Sequence, residues 1–379
     1  MIKKLLNWIA MNIRVLALKV LIAGVFSVGA RAAEIDVVLK DPPEEGTVVI
    51  LFYDSENSFG DLRDPFRVEK FTLDGREFYR VSKLPEGNYA MLVYFDENGN
   101  DQIDKNFIGI PREPLGFSNG YRPKGPPSYS RAAFDVGSDE KQRFEVALYR
   151  PLGKLGRVGV GVGVIGRSSP YRGYEGSVSK VIPAITYTGE KLRIFGPNLE
   201  YGIFGSGDVR LALNGQYRLG VYEEDDSAFL AGMGDREGTF MAGLSLNAEL
   251  DGGFELSLGY LHDVLGKIGG GEGKVGLSKS FQFGVFRLSP YLAGNWMSED
   301  LADHDFGVSV ENALIERFAY DVGSVLSYEV GTGAFIEITE NWLFVMNIGY
   351  EFLPSEVTNS PIVVEEHVVK GFGAINFAF

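Results

Sequence analysis

The chain ends in the stretch Val369-Lys370-Gly371-Phe372-Gly373-Ala374-Ile375-Asn376-Phe377-Ala378-Phe379, and this stretch decides the fold. Successive side chains of a β-strand point to opposite sides, so alternate residues share a face. One face is mixed, and the apolar face carries Val369, Ile375, Phe377 and Phe379. An apolar stripe that ends in Phe is typical of the closing strand of a bacterial outer-membrane β-barrel. The alternative is the last strand of a soluble sandwich.

In a barrel this stripe has two roles. We expect its side chains to contact outer-membrane lipid. We also expect Ile375, Phe377 and Phe379 to form the signal that the barrel assembly machinery reads.

Residues 157–379 repeat the same alternation in one segment after another. Many of these segments are as long as the ~10 residues of a tilted membrane-spanning strand, whereas strands of soluble sandwiches are nearer five or six residues. Tight turns and long polar loops follow one another along the chain, as they do in such barrels. The sequence predicts a transmembrane antiparallel β-barrel of about twelve strands. Barrels of ten or fourteen strands remain alternatives because the segments 191–196 and 198–205 are short. Trp296 and Trp342 fall near opposite strand ends, where interface aromatics lie.

Residues 1–33 have the composition of a secretory signal peptide. Two lysines open a basic region, residues 20–30 are uncharged, and small residues follow. We expect cleavage after Ala32 or Ala33. The alternative, a membrane anchor, is disfavoured because the uncharged run is shorter than the ~20 residues of a spanning helix.

Residues 34–150 consist of short predicted strands separated by turn residues, without a long helical period. We predict a small all-β sandwich domain, placed in the periplasm and joined to the barrel by a linker at 151–156. The chain has no cysteine, which excludes disulfides and thiolate metal sites. Its net charge of −15 argues against a nucleic-acid partner, which needs a basic surface.

Asp96, Asn98, Asn100 and Asp104 place oxygen-bearing side chains at positions 1, 3, 5 and 9 of a loop. Calcium takes several oxygen ligands, so this spacing is the start of a calcium-binding loop. Position 12, where a bidentate Glu belongs, is Phe107. The alternative is a hairpin turn with solvated acids. Apart from this Ca²⁺, no cofactor is predicted.

Three motifs here resemble a family of exported bacterial domains known only as a domain of unknown function. The resemblance covers most of residues 35–149 and implies a periplasmic or surface sandwich without a known activity. The motifs are Leu84-Pro85-Glu86-Gly87-Asn88-Tyr89-Ala90, the loop that begins at Asp96, and Gly109-Ile110-Pro111-Arg112-Glu113 with Gly116-Phe117-Ser118-Asn119.

Residues 156–379 resemble the MipA/OmpV family of outer-membrane proteins. The motifs that match, in order, are Pro170 to Ser177, Leu230-Ala231-Gly232-Met233-Gly234-Asp235, His262-Asp263 and Ser360-Pro361-Ile362-Val363. Some members are described as scaffolds that bring a lytic transglycosylase and a bifunctional penicillin-binding protein together, and others as porins or adhesins. The chain departs from the family at Asn359, where an acid is usual, and in its additional amino-terminal domain.

No catalytic arrangement emerges from the sequence. A hydrolase needs a nucleophile and a base held together, whereas His262 and His304 each precede an Asp in a loop, and adjacent residues tend to point apart. We therefore predict that the protein is not an enzyme. Charged residues on the inner face either line a channel or pair and plug a narrow lumen. They are Arg210, Arg218, Glu249, Glu255, Glu329 and Glu337.

The sequence thus predicts a non-enzymatic outer-membrane barrel with a periplasmic domain. The family resemblance implies a scaffold for peptidoglycan-remodelling enzymes. The alternatives are a small-solute porin and an adhesin.

Overall fold

The computed structural model describes residues 33–138, 141–205 and 209–379. Residues 1–32 lie outside these ranges, so the signal peptide and its cleavage after Ala32 or Ala33 stay predictions. Ala33 is the first described residue and begins the first strand. Among the described residues, no helix is long and apolar enough to span a bilayer.

The amino-terminal part is a sandwich of two small sheets, as predicted. Its elements are β1 Ala33–Lys40, β2 Thr47–Tyr53, α1 Glu56–Asp61, β3 Arg67–Thr72, β4 Tyr79–Leu84, β5 Gly87–Asp96, β6 Leu115–Phe117, α2 Tyr129–Ala132, β7 Ala133–Val136 and β8 Lys141–Ala147. One sheet has the order β4-β1-β8, and the other has the order β3-β2-β5-β6 with β7 beside β5. The short elements β6, β7, α1 and α2 were not predicted, because none is long enough to show a period.

The strand β2 is buried on both of its faces, which explains its continuous apolar run. Ile50 and Phe52 pack into the core between the two sheets. Tyr53 points to the other face, where Phe59 of α1 meets its ring at 5.4 Å and Tyr129 of α2 joins the cluster. Each such buried side chain stabilises the fold by about 1.5–3 kcal/mol. The two helices are therefore held on the outside of the sandwich.

The remainder of the chain forms one sheet that closes on itself. Its segments are β9 Arg157–Ser168, β10 Ser177–Pro183, β11 Thr186–Thr188, β12 Leu192–Phe195, β13 Asn198–Phe204, β14 Val209–Arg218, β15 Thr239–Leu250, β16 Phe254–Asp263, β17 Gly271–Lys279, β18 Phe281–Phe283, β19 Phe286–Met297, β20 Val325–Glu337, β21 Trp342–Phe352 and β22 His367–Ala378, with helices α3 Glu299–Phe306 and α4 Ser355–Thr358 in two of the loops.

The first and last of these strands form the seam of the barrel. β22 pairs antiparallel with β9 from Lys370 opposite Arg167 to Ala378 opposite Gly159. β10 and β11 are two parts of one wall strand, and β17 and β18 are two parts of another. The wall built by the described residues therefore has twelve antiparallel strands, which confirms the predicted fold class.

Side chains alternate across the wall as predicted. Val162 and Val164 of β9 face outward and are about half exposed, whereas the intervening glycines face the lumen. The stripe of Ile375, Phe377 and Phe379 also lies on the outer face. Trp342 meets the ring of Phe377 at 5.2 Å near the end of the barrel with tight turns, called here the short-turn end. Trp296 lies near the opposite, long-loop end, where the loops 169–176, 219–238, 264–270, 298–324 and 353–366 project.

A substitution at the seam tests the closure. A Cβ on Gly161 would lie 2.0 Å from the carbonyl oxygen of Ile375 in β22, so Gly161→Ala must push the two strands apart. Overpacking of this kind costs about 1–3 kcal/mol. We expect the fraction that migrates as a compact, heat-modifiable band in detergent gels to fall by at least half.

The matched control is Gly373→Ala in the same strand pair, because no heavy atom lies within 4 Å of the added Cβ. This variant should keep the compact band. Equal compact fractions for the two variants would contradict the seam geometry.

Candidate functional site

The amino-terminal domain lies against the short-turn end of the barrel, mainly through α1. The backbone N–H of Gln282 donates to the Asn57 side chain at 2.7 Å. Arg287 donates to the Asp61 carboxylate at 2.5 Å. The polar sequence of α1 thus supplies acceptors to groups that the β18–β19 turn leaves unpaired, and the domain covers this mouth of the barrel.

Glu337 of β20 is the buried charge at the centre of this interface, with 2% of its surface exposed. The Tyr121 hydroxyl donates to one carboxylate oxygen, and Arg131 Nε lies 3.2 Å from the other. Burial raises the pKa of the Tyr121 hydroxyl and the charge of Glu337 raises it further, so Tyr121 stays a donor. Losing one partner of a buried pair costs about 3–5 kcal/mol, so this cluster holds the two domains in one arrangement.

Further contacts continue around the rim. Phe107 is buried against Gly202 of β13, where a Cβ would lie 2.4 Å from its ring. Arg112 forms an ion pair with Glu190 in the β11–β12 turn, and Lys124 Nζ donates to the Phe379 carbonyl at 3.2 Å. Sequence reasoning missed these docking residues. The sequence feature that pointed to this contact was Phe107 itself, an apolar side chain that follows an acidic loop.

The long-loop end of the barrel is capped by its own loops. Leu301 and Phe306 of α3 pack with Val357 of α4 and Ile362 in a buried apolar cluster. The sequence reading described these loops as polar or acidic and missed the cluster, because its apolar residues are scattered over four loops and follow no period.

An ion pair ties the cap to the wall. Arg218 of β14 reaches across to the buried Asp305 of α3. Burial by itself would raise the pKa of the Asp305 carboxyl, but the charge of Arg218 outweighs it and holds that pKa well below its usual range. The cap is therefore fastened to the lumen side of the barrel by a charged contact.

Charged side chains on the inner face are mostly paired, which favours the plugged lumen over the channel. A cavity of about 650 Å³ lies under the cap, and another of about 1030 Å³ lies between the barrel and the amino-terminal domain. The pairs are Arg210–Glu255 at 2.9 Å, Arg63–Glu249 at 2.7 Å, Lys274–Glu329 at 3.4 Å and Arg131–Glu337 at 3.2 Å.

The predicted calcium loop folds as a hydrogen-bonded turn. Both carboxylate oxygens of Asp96 accept backbone N–H groups of residues 99–101 at 2.8–3.2 Å. Asn98 and Asn100 donate their amides to Asp104 at 2.7 and 3.1 Å. The loop's own donors therefore occupy the oxygens of Asp96 and Asp104, and the calcium site stays a prediction. Within residues 33–138, 141–205 and 209–379, no group of three or more His, Cys, Asp or Glu side chains is arranged to hold a metal ion.

Glu113 closes the same loop from the other side. Its carboxylate accepts the backbone N–H of Glu97 at 3.0 Å and that of Asp104 at 3.1 Å. Burial raises the pKa of this carboxyl. The motifs that begin at Asp96 and Gly109 thus build one loop, and that loop carries Phe107 to the barrel.

The three histidines lie in different places. His304 Nδ1 is 3.1 Å from Asp305, contrary to the expectation that adjacent side chains point apart, but Arg218 engages the same carboxylate. His262 lies 3.2 Å from the Tyr260 hydroxyl. His367 stacks on Tyr350 in the wall. None of these contacts brings a nucleophile and a base together.

Comparison with known proteins confirms both sequence resemblances. Residues 160–379, more than half of the chain, match the family described as MltA-interacting protein MipA. Residues 39–144 match a family described as an uncharacterized protein conserved in bacteria, DUF2141.

Three relatives are outer-membrane proteins by name. Omp26La of Vibrio anguillarum is 30% identical over 53% of this chain and 79% of its own length. OmpV of Vibrio cholerae is 30% identical over 47% of this chain and 69% of its own length. The putative outer membrane protein YiaT of Escherichia coli K12 is 26% identical over 54% of this chain and 83% of its own length. The closed barrel with its outward-facing terminal stripe is thus an outer-membrane protein, and the chain belongs to the MipA/OmpV family.

Proposed function

We propose that this protein is a non-enzymatic scaffold that holds its amino-terminal domain in the periplasm, at a fixed position under the outer membrane, to bind peptidoglycan-remodelling enzymes. The docked domain carries this proposal. Buried contacts around Glu337 hold the domain against the barrel, and its remaining surface is available to partners. The family description as MltA-interacting supports a lytic transglycosylase as one partner. A penicillin-binding protein is the second partner that the family resemblance implies.

The partner surface that we propose is the free edge of β3. In the part of the chain that the structure describes, β3 pairs with β2 alone, so its other edge has unpaired backbone groups that an incoming strand can use. Phe66 and Val68 add exposed apolar side chains there, each 46% exposed, and Phe66 packs against Tyr89. An enzyme bound at this edge would be held beside the barrel.

Capture from envelope extracts tests the scaffold. The full chain in detergent should enrich a lytic transglycosylase over an unrelated barrel of similar size. Val68→Asp should reduce the captured enzyme several-fold, because a charge on the free edge opposes strand addition. Lys40→Gln, at the end of β1 in the other sheet, changes the net charge by the same amount and breaks only an exposed ion pair with Glu145; it is the control and should leave capture unchanged. Absence of enrichment over the unrelated barrel would remove the proposal.

Three features of the structure argue against the porin alternative. The amino-terminal domain covers one mouth of the barrel, the loop cluster covers the other, and the inner charges are mostly paired. We expect the full chain to give no discrete conductance steps in planar bilayers, where a known porin reconstituted in parallel does. Reproducible conductance steps would support the porin alternative.

The adhesin alternative has one observation in its favour. Arg317 is buried and donates to the carbonyl groups of Phe229, Ala231 and Asn312, which holds the tip of the loop 298–324 in place. That tip presents Ile315, fully exposed, and Phe318. It is therefore a fixed apolar surface outside the barrel wall.

Replacing Ile315 and Phe318 by Ser tests this alternative. Cells that display the variant should adhere to a hydrophobic surface at least twofold less than cells with the unchanged chain, at equal amounts of compact, heat-modifiable protein. Unchanged adhesion of the variant would contradict the adhesin alternative.

A further inference from the structure

The barrel wall has an opening beside β10. Ser177–Pro183 pairs with β9 on one side, and no described strand pairs with its other side. The reason is the short hairpin of β12 and β13, whose chain turns back at Gly196-Pro197 well below the upper end of β10. Above this turn no described strand lies between β10 and β14, and we call this gap the side opening.

Two backbone hydrogen bonds close the barrel wall below the side opening. The Gly196 N–H donates to the Ile185 carbonyl at 3.1 Å, and the Tyr217 N–H donates to the Pro197 carbonyl at 3.2 Å. The wall is thus closed up to the hairpin turn. Pro183 fits this position, because proline has no N–H to donate and occurs in sheets at unpaired edges.

Above the side opening, the loop 169–176 contacts the loop 219–238. Ser227 Oγ donates to the Arg172 carbonyl at 2.8 Å, and the Arg172 guanidinium lies 4.8 Å from the centre of the Phe229 ring. The gap is therefore a window bounded on all sides and does not extend to the top of the barrel.

The side opening reaches the part of the wall that faces lipid. Val181 of β10 is 73% exposed on the outer face and Ile185 just below it is also exposed, whereas Ser177 and Ser179 lie above them. A bilayer interior offers no water to an unpaired strand edge, so such an edge persists only where it borders a polar or water-filled space. The cavity under the cap is lined by Arg167 of β9 on one side of the gap and by Phe195 and Asn198 of the hairpin below it, so this cavity is the space behind the side opening.

An unpaired cation lies inside, on the strand next to β10. The Arg167 guanidinium makes no hydrogen bond or ion pair with any residue that the structure describes, and its buried Nε has no partner. Lys370, which faces Arg167 across the seam, is instead paired with Glu351. Arg167 is partly buried, and no described side chain occupies its guanidinium donors, so they are free to bind a ligand.

Apolar side chains accompany Arg167 in the same cavity. Phe195 and Phe372 meet edge to face at 5.3 Å, and Ile165 lies beside them along the cavity wall. The volume of about 650 Å³ is within the ~300–1,000 Å³ range of small-molecule sites. Among the described residues that line it, the cavity thus combines one cation without an ion-pair partner, Arg167, with an apolar patch and with carboxylates that are paired to other cations.

We propose that the side opening admits an anionic amphiphile from the membrane, with its carboxylate or phosphate group on Arg167 and its acyl chain along Phe195, Phe372 and the opening. This site does not depend on the scaffold function, because it lies at the other end of the barrel from the amino-terminal domain.

Binding to the purified full chain in an uncharged detergent tests the chemistry. Hexadecanoate or a single-chain phosphatidylglycerol should bind, and whichever binds more tightly identifies the head group. Acetate, which lacks the chain, and hexadecyltrimethylammonium, which reverses the charge, should not bind. Absence of binding by both anionic amphiphiles, or equal binding of acetate, would overturn the proposal.

Variants locate the site. Arg167→Gln should weaken binding at least tenfold and Arg167→Lys less, because lysine keeps the charge but loses the planar fork of donors. Arg143→Gln, on the surface of the amino-terminal domain, is the matched control and should bind like the unchanged chain. Unaltered binding by Arg167→Gln would overturn the assignment.

A fluorescent label tests entry through the wall without altering Arg167. Since the chain has no cysteine, a single Ile182→Cys in β10, beside the side opening, can be labelled, and Ser245→Cys in the wall of the cavity under the cap is its control. In bilayers of phospholipid brominated on the acyl chain, the label at 182 should be quenched at least twofold more than the label at 245. Equal quenching at the two positions would overturn lateral entry.

Discussion

The hydrogen bonds between β9 and β22 are the interaction on which the remaining structure depends. A bilayer leaves no water for an open sheet edge, so a spanning sheet persists only if its first and last strands pair. The glycines of β9 make this pairing close, since Gly161 lies against the backbone of Ile375 with no room for a Cβ. The closed seam sets the circumference of the wall, and the circumference sets how far side chains must reach across the lumen.

Closure explains why the inner charges pair. In a narrow barrel, charged side chains on the inner face meet one another, and a buried charge without a partner is costly. Lys274 reaches Glu329, and Arg218 reaches Asp305 from the cap. The cap and the amino-terminal domain then cover the two mouths. Arg167 differs from these residues because it has no ion-pair partner among the described residues, and it lies on β9, next to the strand with the unpaired edge.

The amino-terminal domain is fitted to the barrel through parts that a sandwich does not itself need. The loop from Asp96 to Glu113 satisfies its own backbone groups and presents Phe107 to β13. α1 caps the β18–β19 turn with Asn57 and Asp61. The motifs of this loop, which lie in the region that matches the DUF2141 family, thus have a structural role here and serve the junction with the barrel. A domain held in this way can display a partner at a set distance from the membrane.

The sequence alone determined the sandwich, a barrel of about twelve strands, the outward-facing stripe of Ile375, Phe377 and Phe379, and the family, because alternation and strand length are local properties that the chain shows directly. The tertiary structure alone decided which charges pair, that Phe107 and Glu337 lie in the junction, that the loop residues Phe306 and Val357 form a cap, and that β10 has a free edge. Each of these joins segments far apart in sequence, and periodicity carries no information about which distant side chains meet once a sheet has closed.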